Sequence, residues 1–243
     1  MLRKLGIFEK ALLISNQHAP FDVVSVLRMQ NAPSPDAVKR ALTRLQQRHP
    51  FLRAHIVDGA FELRPSMEFP FTTSERTGEN QWRDVAEGEM AFRYDPAGPL
   101  LRANYLYKGG HGDLVLNAHH AIMDAASGMN LLDELLQLCA GSDAPLPPLE
   151  PAPAMEDRFP PAYQGLRRTV NVAGYALAQM GDMARYMWRT RNKRRPPVHF
   201  GGNGHIATLI LPEDLVDSLA HRAGAWNVSS TIGKKLKNKK NKR

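Results

Sequence analysis

The chain has little cysteine, no long apolar run and no signal-peptide pattern, and each absence excludes a class of protein. A single cysteine, Cys139, excludes an internal disulfide framework and a Cys-rich zinc site. The apolar runs fall short of the roughly 18 to 20 residues that a membrane-spanning helix requires. Glu9 and Lys10 interrupt the basic N-terminus before a signal-peptide hydrophobic stretch can form. We therefore expect a cytoplasmic protein, and 243 residues that are 43% hydrophobic suffice for a sizeable core.

The last eleven residues account for most of the net positive charge of the chain. The formal net charge is +8, and residues 233–243 carry seven positive charges and no negative one, so the rest of the chain has a net charge of +1. This Lys/Asn-rich stretch is typical of a disordered basic tail. Because the body is nearly neutral, nucleic acid is not the expected partner. Binding through the tail alone would weaken steeply with salt and disappear when residues 233–243 are deleted.

Hydrophobic periodicity and turn signals predict alternating strands and helices. A proline-rich stretch over 145–153 indicates a boundary. The predicted strands span residues 23–29, 51–57, 61–64, 103–107, 114–118 and 205–211. The predicted helices span residues 36–49, 82–90 and 129–138, one or two more lie within 163–195, and another runs from about 213 to 223.

The pattern most suggestive of chemistry is His119-His120-Ala-Ile-Met-Asp124, directly after the strand over 114–118. Adjacent residues at a strand end point to opposite faces, so one histidine can face the interior while the other faces a cleft. Imidazole suits proton abstraction near neutral pH, because its unperturbed pKa is about 6.5. Asp124 can fold back to hold the turn or pair with a cation.

Two alternatives for the histidine pair stay open on geometry alone. A metal site is disfavoured, since neighbouring strand residues splay apart and no His-x-Glu-x-x-His spacing is present; we expect no bound metal. The histidines could instead be ordinary strand-end residues with no chemical role. Sequence context is needed to choose between this interpretation and a catalytic one.

Several segments together resemble the acyltransferase superfamily that includes chloramphenicol acetyltransferase, the condensation domains of nonribosomal peptide synthetases, and polyketide-associated and wax-ester acyltransferases. The signature of that superfamily is His-His-x-x-x-Asp-Gly at a strand end, followed by a small-residue turn and a helix. The helix that closes on Arg48-His49-Pro50-Phe-Leu-Arg53 resembles its first long helix, and residues 94–102 resemble the segment before the motif strand. The resemblance spans residues 5–232 and is sharpest over 36–138.

The resemblance implies a role for each motif residue. His120 would be the general base, His119 would be structural, and Asp124 would organise the loop and pair with an arginine. Ala125 stands where the superfamily has glycine, which is tolerable if the backbone φ there is negative. No covalent acyl-enzyme is required, so Ser127 is expected to cap the following helix rather than act as a nucleophile.

The resemblance also implies the fold and the reaction. The fold would be α/β (α+β): a chloramphenicol acetyltransferase-like lobe with a mixed, largely antiparallel sheet packed with helices, and a truncated second lobe. The reaction would transfer an acyl group from a coenzyme A or carrier-protein thioester to a hydroxyl or amine, with no tightly bound cofactor. The alternative is an inactive lobe that serves as a binding module. The expected divisions are a motif-bearing lobe over 1–144, a linker with basic crossover helices over 145–204, the start of a second lobe over 205–232, and the tail.

The segment over 163–195 has eight basic side chains and one acid, Asp182, among several aromatic and methionine residues. It could lie on a membrane surface, which would suit an enzyme that handles lipid-like acyl chains. The alternative, which the sequence favours, is a helix packed on the lobe with a solvated basic edge.

Overall fold

The computed structural model describes residues 2–141, 146–160, 165–191, 204–208 and 211–225. It forms two compact units, Met1–Gly204 and His205–Arg243. Both sheets and all of the predicted site residues lie in the first unit. The strands are β1 Leu2–Lys4, β2 Asp22–Gln30, β3 Ala54–Val57, β4 Ala60–Leu63, β5 Phe71–Glu75, β6 Leu101–Lys108 and β7 His111–His119. The helices are α1 Ile7–His18, α2 Pro35–Arg48, α3 Gln81–Ala91, α4 Ala125–Cys139, α5 Gly165–Thr190 and α6 Glu213–Ala225.

The larger sheet is mixed and has the strand order β2-β7-β6-β5. Strand β7 is central and pairs antiparallel with β2 and β6, while β5 is parallel to β6. Residues 112–119 of β7 are all buried, because helices α2 and α4 cover one face of the sheet and α3 contacts the other. The mixed, largely antiparallel sheet packed with helices that the resemblance implied is therefore confirmed.

The main core lies between this sheet and helices α2 and α4. The N-cap of α2 is Ser34, whose hydroxyl accepts a hydrogen bond from the Ala37 amide, and Pro35 occupies the first turn. The buried face of the helix includes Val38, Leu42 and Leu45 at helical spacing. The helix that the sequence predicts over residues 36–49 is confirmed.

The second sheet is smaller and antiparallel, with strand order β1-β4-β3. Asp58 and Gly59, both at positive φ, form the tight turn between β3 and β4. Phe61 is fully buried and packs with Tyr94 and Leu100 in a second core cluster. The chain segment that leads into β6 is thereby fixed against this sheet.

Helix α4 is tied to α2 by polar contacts as well as by packing. Arg48 and His49, at the end of α2, both contact the same Glu134 carboxylate oxygen on α4, at 3.1 and 2.8 Å. These are residues of the segment that resembles the first long helix of the acyltransferases. Their contact with Glu134 helps to set the position of α4, and α4 begins directly after Asp124.

Several predictions about local structure were wrong. The sequence did not predict strands β1 and β5 or helix α1. Strand β5 was missed because its mostly exposed, polar residues show no alternation. Helix α1 was missed because its apolar residues are not confined to one stripe. The strand predicted over 51–57 begins only at Ala54, because residues 51–53 belong to the 3-10 helix Pro50–Arg53, which starts at a proline whose φ is fixed near −65°. The described residues of the predicted strand over 205–211 have no regular structure.

Two helical predictions were also corrected. Helix α4 begins at Ala125 instead of residue 129, because the Asp124 cap starts it earlier. The favoured expectation that the basic segment packs on the lobe fails for α5, whose described side chains over 165–189 are exposed. Predictions for residues 142–145, 161–164, 192–203, 209–210 and 226–243, including the basic tail, lie outside the described residues.

Candidate functional site

His119 is the last residue of β7 and is buried. Its Nδ1 accepts a hydrogen bond from the Ala121 amide at 3.1 Å, so the proton of the neutral ring belongs on Nε2. The Tyr94 ring packs edge-on against it with centroids 5.8 Å apart. Burial, with a smaller contribution from His120, lowers the pKa of His119 to about 4. His119 is therefore a neutral, fixed ring at neutral pH.

His120 lies in the turn directly after β7 and is only half-buried. Its ring stacks on Phe21 with centroids 4.9 Å apart and an interplanar angle of 16°. Its Nδ1 is buried and has no hydrogen-bond partner in the described part of the chain. The two histidines therefore have contrasting environments, because one ring is enclosed and hydrogen-bonded while the other retains unused hydrogen-bonding capacity.

Asp124 is the N-cap of α4. One of its carboxylate oxygens, Oδ1, accepts from the Ser127 amide at 2.7 Å and from the Ser127 hydroxyl at 2.6 Å. These hydrogen bonds hold the pKa of Asp124 below its usual value. Asp124, and not Ser127, is thus the capping residue, and among the described residues the expected arginine partner is absent. The hydrogen bonds that Ser127 of α4 donates to Asp124 therefore hold the turn between β7 and α4.

Ala125 is the first residue of α4 and is exposed. The described non-glycine residues with positive φ are Asn31 and Asp58, so the backbone of Ala125 does not adopt the left-handed conformation that favours glycine. Alanine is compatible with this turn for that reason.

Replacement of Asp124 by alanine should destabilise the fold by about 1 kcal/mol, because it removes the acceptor for the Ser127 amide at the start of α4. Urea unfolding at pH 7 measures this change. Asp124→Asn retains an acceptor and should recover most of the loss. Asp133→Ala, an exposed substitution on the same helix, is the control; equal effects at the two positions would contradict the assigned cap.

A further polar residue of the site, Asp22, carried no sequence signal. It is the first residue of β2 and pairs in register with His119. Asn16 donates to Asp22 Oδ1 at 2.6 Å, whereas Oδ2 is buried without a hydrogen-bond partner in the described residues. Burial raises the pKa of Asp22 to about 6, although the Asn16 bond and the charges of His120 and Arg93 offset part of the rise. A carboxylate of high pKa therefore lies in the electrostatic surroundings of His120.

Asp22→Asn should stabilise the protein at pH 7 and have little effect near pH 4. The raised pKa means that the protonated form of Asp22 favours the fold below pH 3.8, and that this contribution is lost as the pH rises through about 6. The expected gain at pH 7 is on the order of 1–2 kcal/mol, because solvent screens part of the charge of a half-buried group. Urea unfolding of both proteins between pH 4 and 7 tests this, and a pH-independent difference would contradict it.

A polar cleft of about 600 Å³ lies at the opposite end of β7 from the histidine pair, and His111 and Asp113 are among its lining residues. Arg28 and Arg76 also line it, and both pair with the buried Asp113 at 3.1 and 2.7 Å. These charges already have partners within the fold. In the described residues, no group of three or more His, Cys, Asp or Glu side chains could hold a metal ion.

No protein-family model matches the chain. One of the plipastatin synthase proteins of Bacillus subtilis (strain 168) is 27% identical over 137 residues, which are 54% of this chain and 5% of that protein. The nonribosomal peptide synthetase easA of Emericella nidulans is 29% identical over 180 residues, which are 72% of this chain and 2% of that protein. The chain thus spans a small part of each of these curated relatives.

Solved structures with a similar fold include the starter condensation domain of the rhizomide synthetase, with a TM-score of 0.52 and 13% identity over 81% of this chain and 49% of that one. The epimerization domain from the third module of a tyrocidine synthetase has a TM-score of 0.52 and 15% identity over 65% of this chain and 40% of that one. The chain has the fold of part of a condensation domain. It spans about half the length of the first of these domains.

Proposed function

We propose that the chain carries the general base of a condensation-type acyltransferase, which transfers an acyl group from a thioester to an amine or hydroxyl. The supporting observation is the contrast between the two histidines at the end of β7. His119 is buried and hydrogen-bonded, whereas His120 is half-buried and its Nδ1 has no partner in the described residues. Because the chain has the fold of part of a condensation domain, we interpret His119 as a structural histidine and His120 as the base.

In the proposed reaction, His120 takes a proton from the acceptor as its nitrogen or oxygen attacks the thioester carbonyl carbon. The resulting tetrahedral intermediate collapses, the carbon–sulfur bond breaks, and the imidazolium of His120 returns the proton to the departing thiolate. The neutral His119 places no like charge beside this imidazolium. The carboxylates of Asp22 and Asp124 both attract the positive charge of His120.

We propose that the donor is a phosphopantetheine thioester on a carrier protein, with an acyl-coenzyme A as the second candidate. Support comes from the two curated relatives, which are a plipastatin synthase protein and a nonribosomal peptide synthetase. The thioester is a substrate in this scheme, and no tightly bound cofactor is required. The cytoplasmic location that we propose rests on the single cysteine, which suits a reducing compartment.

Release of free thiol tests this function. The purified chain is incubated with an acyl-pantetheine, an acyl-coenzyme A or an acyl-carrier protein, each with and without an amine or alcohol acceptor. We expect thiol release that depends on the acceptor, and the preferred pair identifies the donor and the type of acylation. Release that never exceeds the acceptor-free rate for any donor would refute the proposal.

The alternative function is a binding module without activity of its own. The observation that favours it is that the chain matches 49% and 40% of the lengths of the similar condensation and epimerization domains. A binding module would associate with a partner through exposed apolar surface. Association detected by size-exclusion chromatography with light scattering, together with inactivity in the thiol assay, would support this alternative.

A further inference from the structure

Helix α5 presents an unusual amount of apolar surface to solvent. It runs over 26 residues, Gly165–Thr190, and its described side chains over 165–189 are exposed. Leu166 is 82% exposed, and Leu177 and Met180 are each 68% exposed. Side chains of this kind usually lie against another apolar surface, so the helix is expected to have a binding partner.

The apolar residues of α5 follow a regular pattern. They recur at alternating intervals of four and three residues, which places them on one face of a helix with 3.6 residues per turn. The opposite face carries polar residues and arginines. The members of the apolar stripe are Leu166, Val170, Ala173, Leu177, Met180, Ala184 and Met187.

The segment carries far more positive than negative charge. Residues 165–191 contain five arginines and one acid, Asp182, which gives a net charge of +4. That acid is already paired with Arg185 at 3.2 Å. The excess positive charge therefore favours an anionic partner.

The C-terminal end of α5 also has residues that favour a water–lipid boundary. Trp188 is 68% exposed, and the Arg191 guanidinium lies 5.2 Å from the centre of its ring. Tyr186 lies in the same turn. Aromatic side chains with a polar end, next to arginines, are typical of helices that lie in the headgroup region of a membrane.

A second copy of α5 is the main alternative occupant, because four-three spacing is also the pattern of a coiled coil. However, two copies would bring together two segments with a net charge of +4 each. The positions that flank the stripe contain no acid that could pair with an arginine of the other copy. They are occupied by Arg167, Thr169, Gly174, Ala176, Gly181, Met183 and Trp188.

We propose that α5 binds the surface of an anionic membrane, with its apolar stripe in the headgroup and acyl-chain boundary and its arginines on the lipid phosphates. No helix in the described part of the chain is long and apolar enough to cross a bilayer, so α5 would lie along the surface instead of spanning it. This binding goes beyond the proposed acyl transfer and does not depend on it.

Sedimentation with vesicles tests the proposal in the full chain. Neutral phosphatidylcholine vesicles are compared with vesicles that contain about 30% phosphatidylglycerol, because a basic amphipathic helix requires both anionic charge and an apolar face. We expect the wild type to bind the anionic vesicles at least about tenfold more strongly than the neutral ones. Equal binding to both, or binding to neither, would overturn the proposal.

The double variant Leu177→Gln/Met180→Gln removes the apolar side chains at the centre of the stripe. It does not change the charge, and glutamine is a good helix former. It should bind anionic vesicles at least about tenfold more weakly. Tyr175→Gln, on the polar face and 68% exposed in the wild type, is the matched control and should retain binding. Undiminished binding by the double variant would show that charge alone, including residues 233–243, holds the protein, and would overturn the role of the stripe.

Two further measurements exclude misleading results. Circular dichroism must show equal helix content in the double variant and the control; if the double variant loses helix, Met180→Gln alone is used, with the same expected direction. Light scattering without lipid detects a second copy on the stripe. A wild-type dimer that the double variant abolishes, together with no vesicle binding, would overturn the proposal in favour of self-association.

Discussion

His120→Ala should reduce the rate of thioester-dependent acyl transfer by about 10²–10⁴-fold, the contribution that a positioned general base typically makes. The expected loss follows from the position of the ring, which is half-buried at the end of a buried strand and stacked on Phe21. Alanine cannot take the proton from the attacking amine or hydroxyl, and it cannot give a proton to the departing thiolate. The measurement is the acceptor-dependent rate of thiol release for each protein.

His111→Ala is the matched control, because His111 is an exposed histidine at the opposite end of the same strand. It should leave the rate within about twofold of the wild type and should change the stability little, as most exposed substitutions do. Urea unfolding of His120→Ala, which removes a half-buried ring, checks that this variant is still folded under the assay conditions. Equal rates for His120→Ala and the wild type would remove His120 from the mechanism. Such a result would leave the condensation-domain fold unaffected.

Phe21 offers a more specific check on the position of that ring. Phe21→Leu keeps an apolar side chain but removes the aromatic face that lies 4.9 Å from His120. The ring-current contribution to the His120 proton shifts in NMR spectra should then disappear, even if the fold is unchanged. Shifts that stay the same would contradict the stacked arrangement.

The parts of the fold that could be predicted from the sequence are those with a local signal. The hairpin over residues 54–63 was predictable because Asp58-Gly59 favours a tight turn, and α2 because a cap and a proline precede an apolar stripe. Strand β5 was not predictable, since it is short and mostly exposed at a sheet edge. Its place is decided by pairing with β6, which no local pattern encodes.

The same distinction applies to the site. His119, His120 and Asp124 are close in sequence, so the sequence alone predicts that they lie together. Phe21 and Asp22 approach the histidines only because β2 pairs with β7 in one particular register, and register depends on long-range packing. The arginine expected beside Asp124 came from a resemblance, and in the described residues the local Ser127 contacts take its place.

The largest expected loss of stability is at Glu89, a buried residue of α3 whose carboxylate is directed at the larger sheet. Its oxygens accept from Arg102 at 3.1 Å, from Asn104 at 2.8 Å and from Asn117 at 3.0 Å. Its backbone carbonyl also accepts from the Asn117 amide at 2.9 Å. Two of these partners belong to β6, and Asn117 lies two residues before His119 on β7. Glu89 thus connects α3 to both strands beside the candidate site.

Glu89→Ala should lower the free energy of unfolding by about 3 kcal/mol or more, because it removes the carboxylate that accepts from a partly buried guanidinium and from two side-chain amides. Of these donors, the Asn117 amide alone would keep an acceptor at residue 89, the backbone carbonyl. Glu89→Gln keeps an oxygen acceptor but loses the charge, so its loss should be intermediate. Urea unfolding at pH 7 measures both, with Glu68→Ala, an exposed substitution, expected to stay within about 0.5 kcal/mol. A loss at Glu89 no greater than at Glu68 would show that the sheet is held by its apolar core alone. A large loss, in contrast, would mean that the strand bearing His119 depends on a buried carboxylate for its attachment to α3.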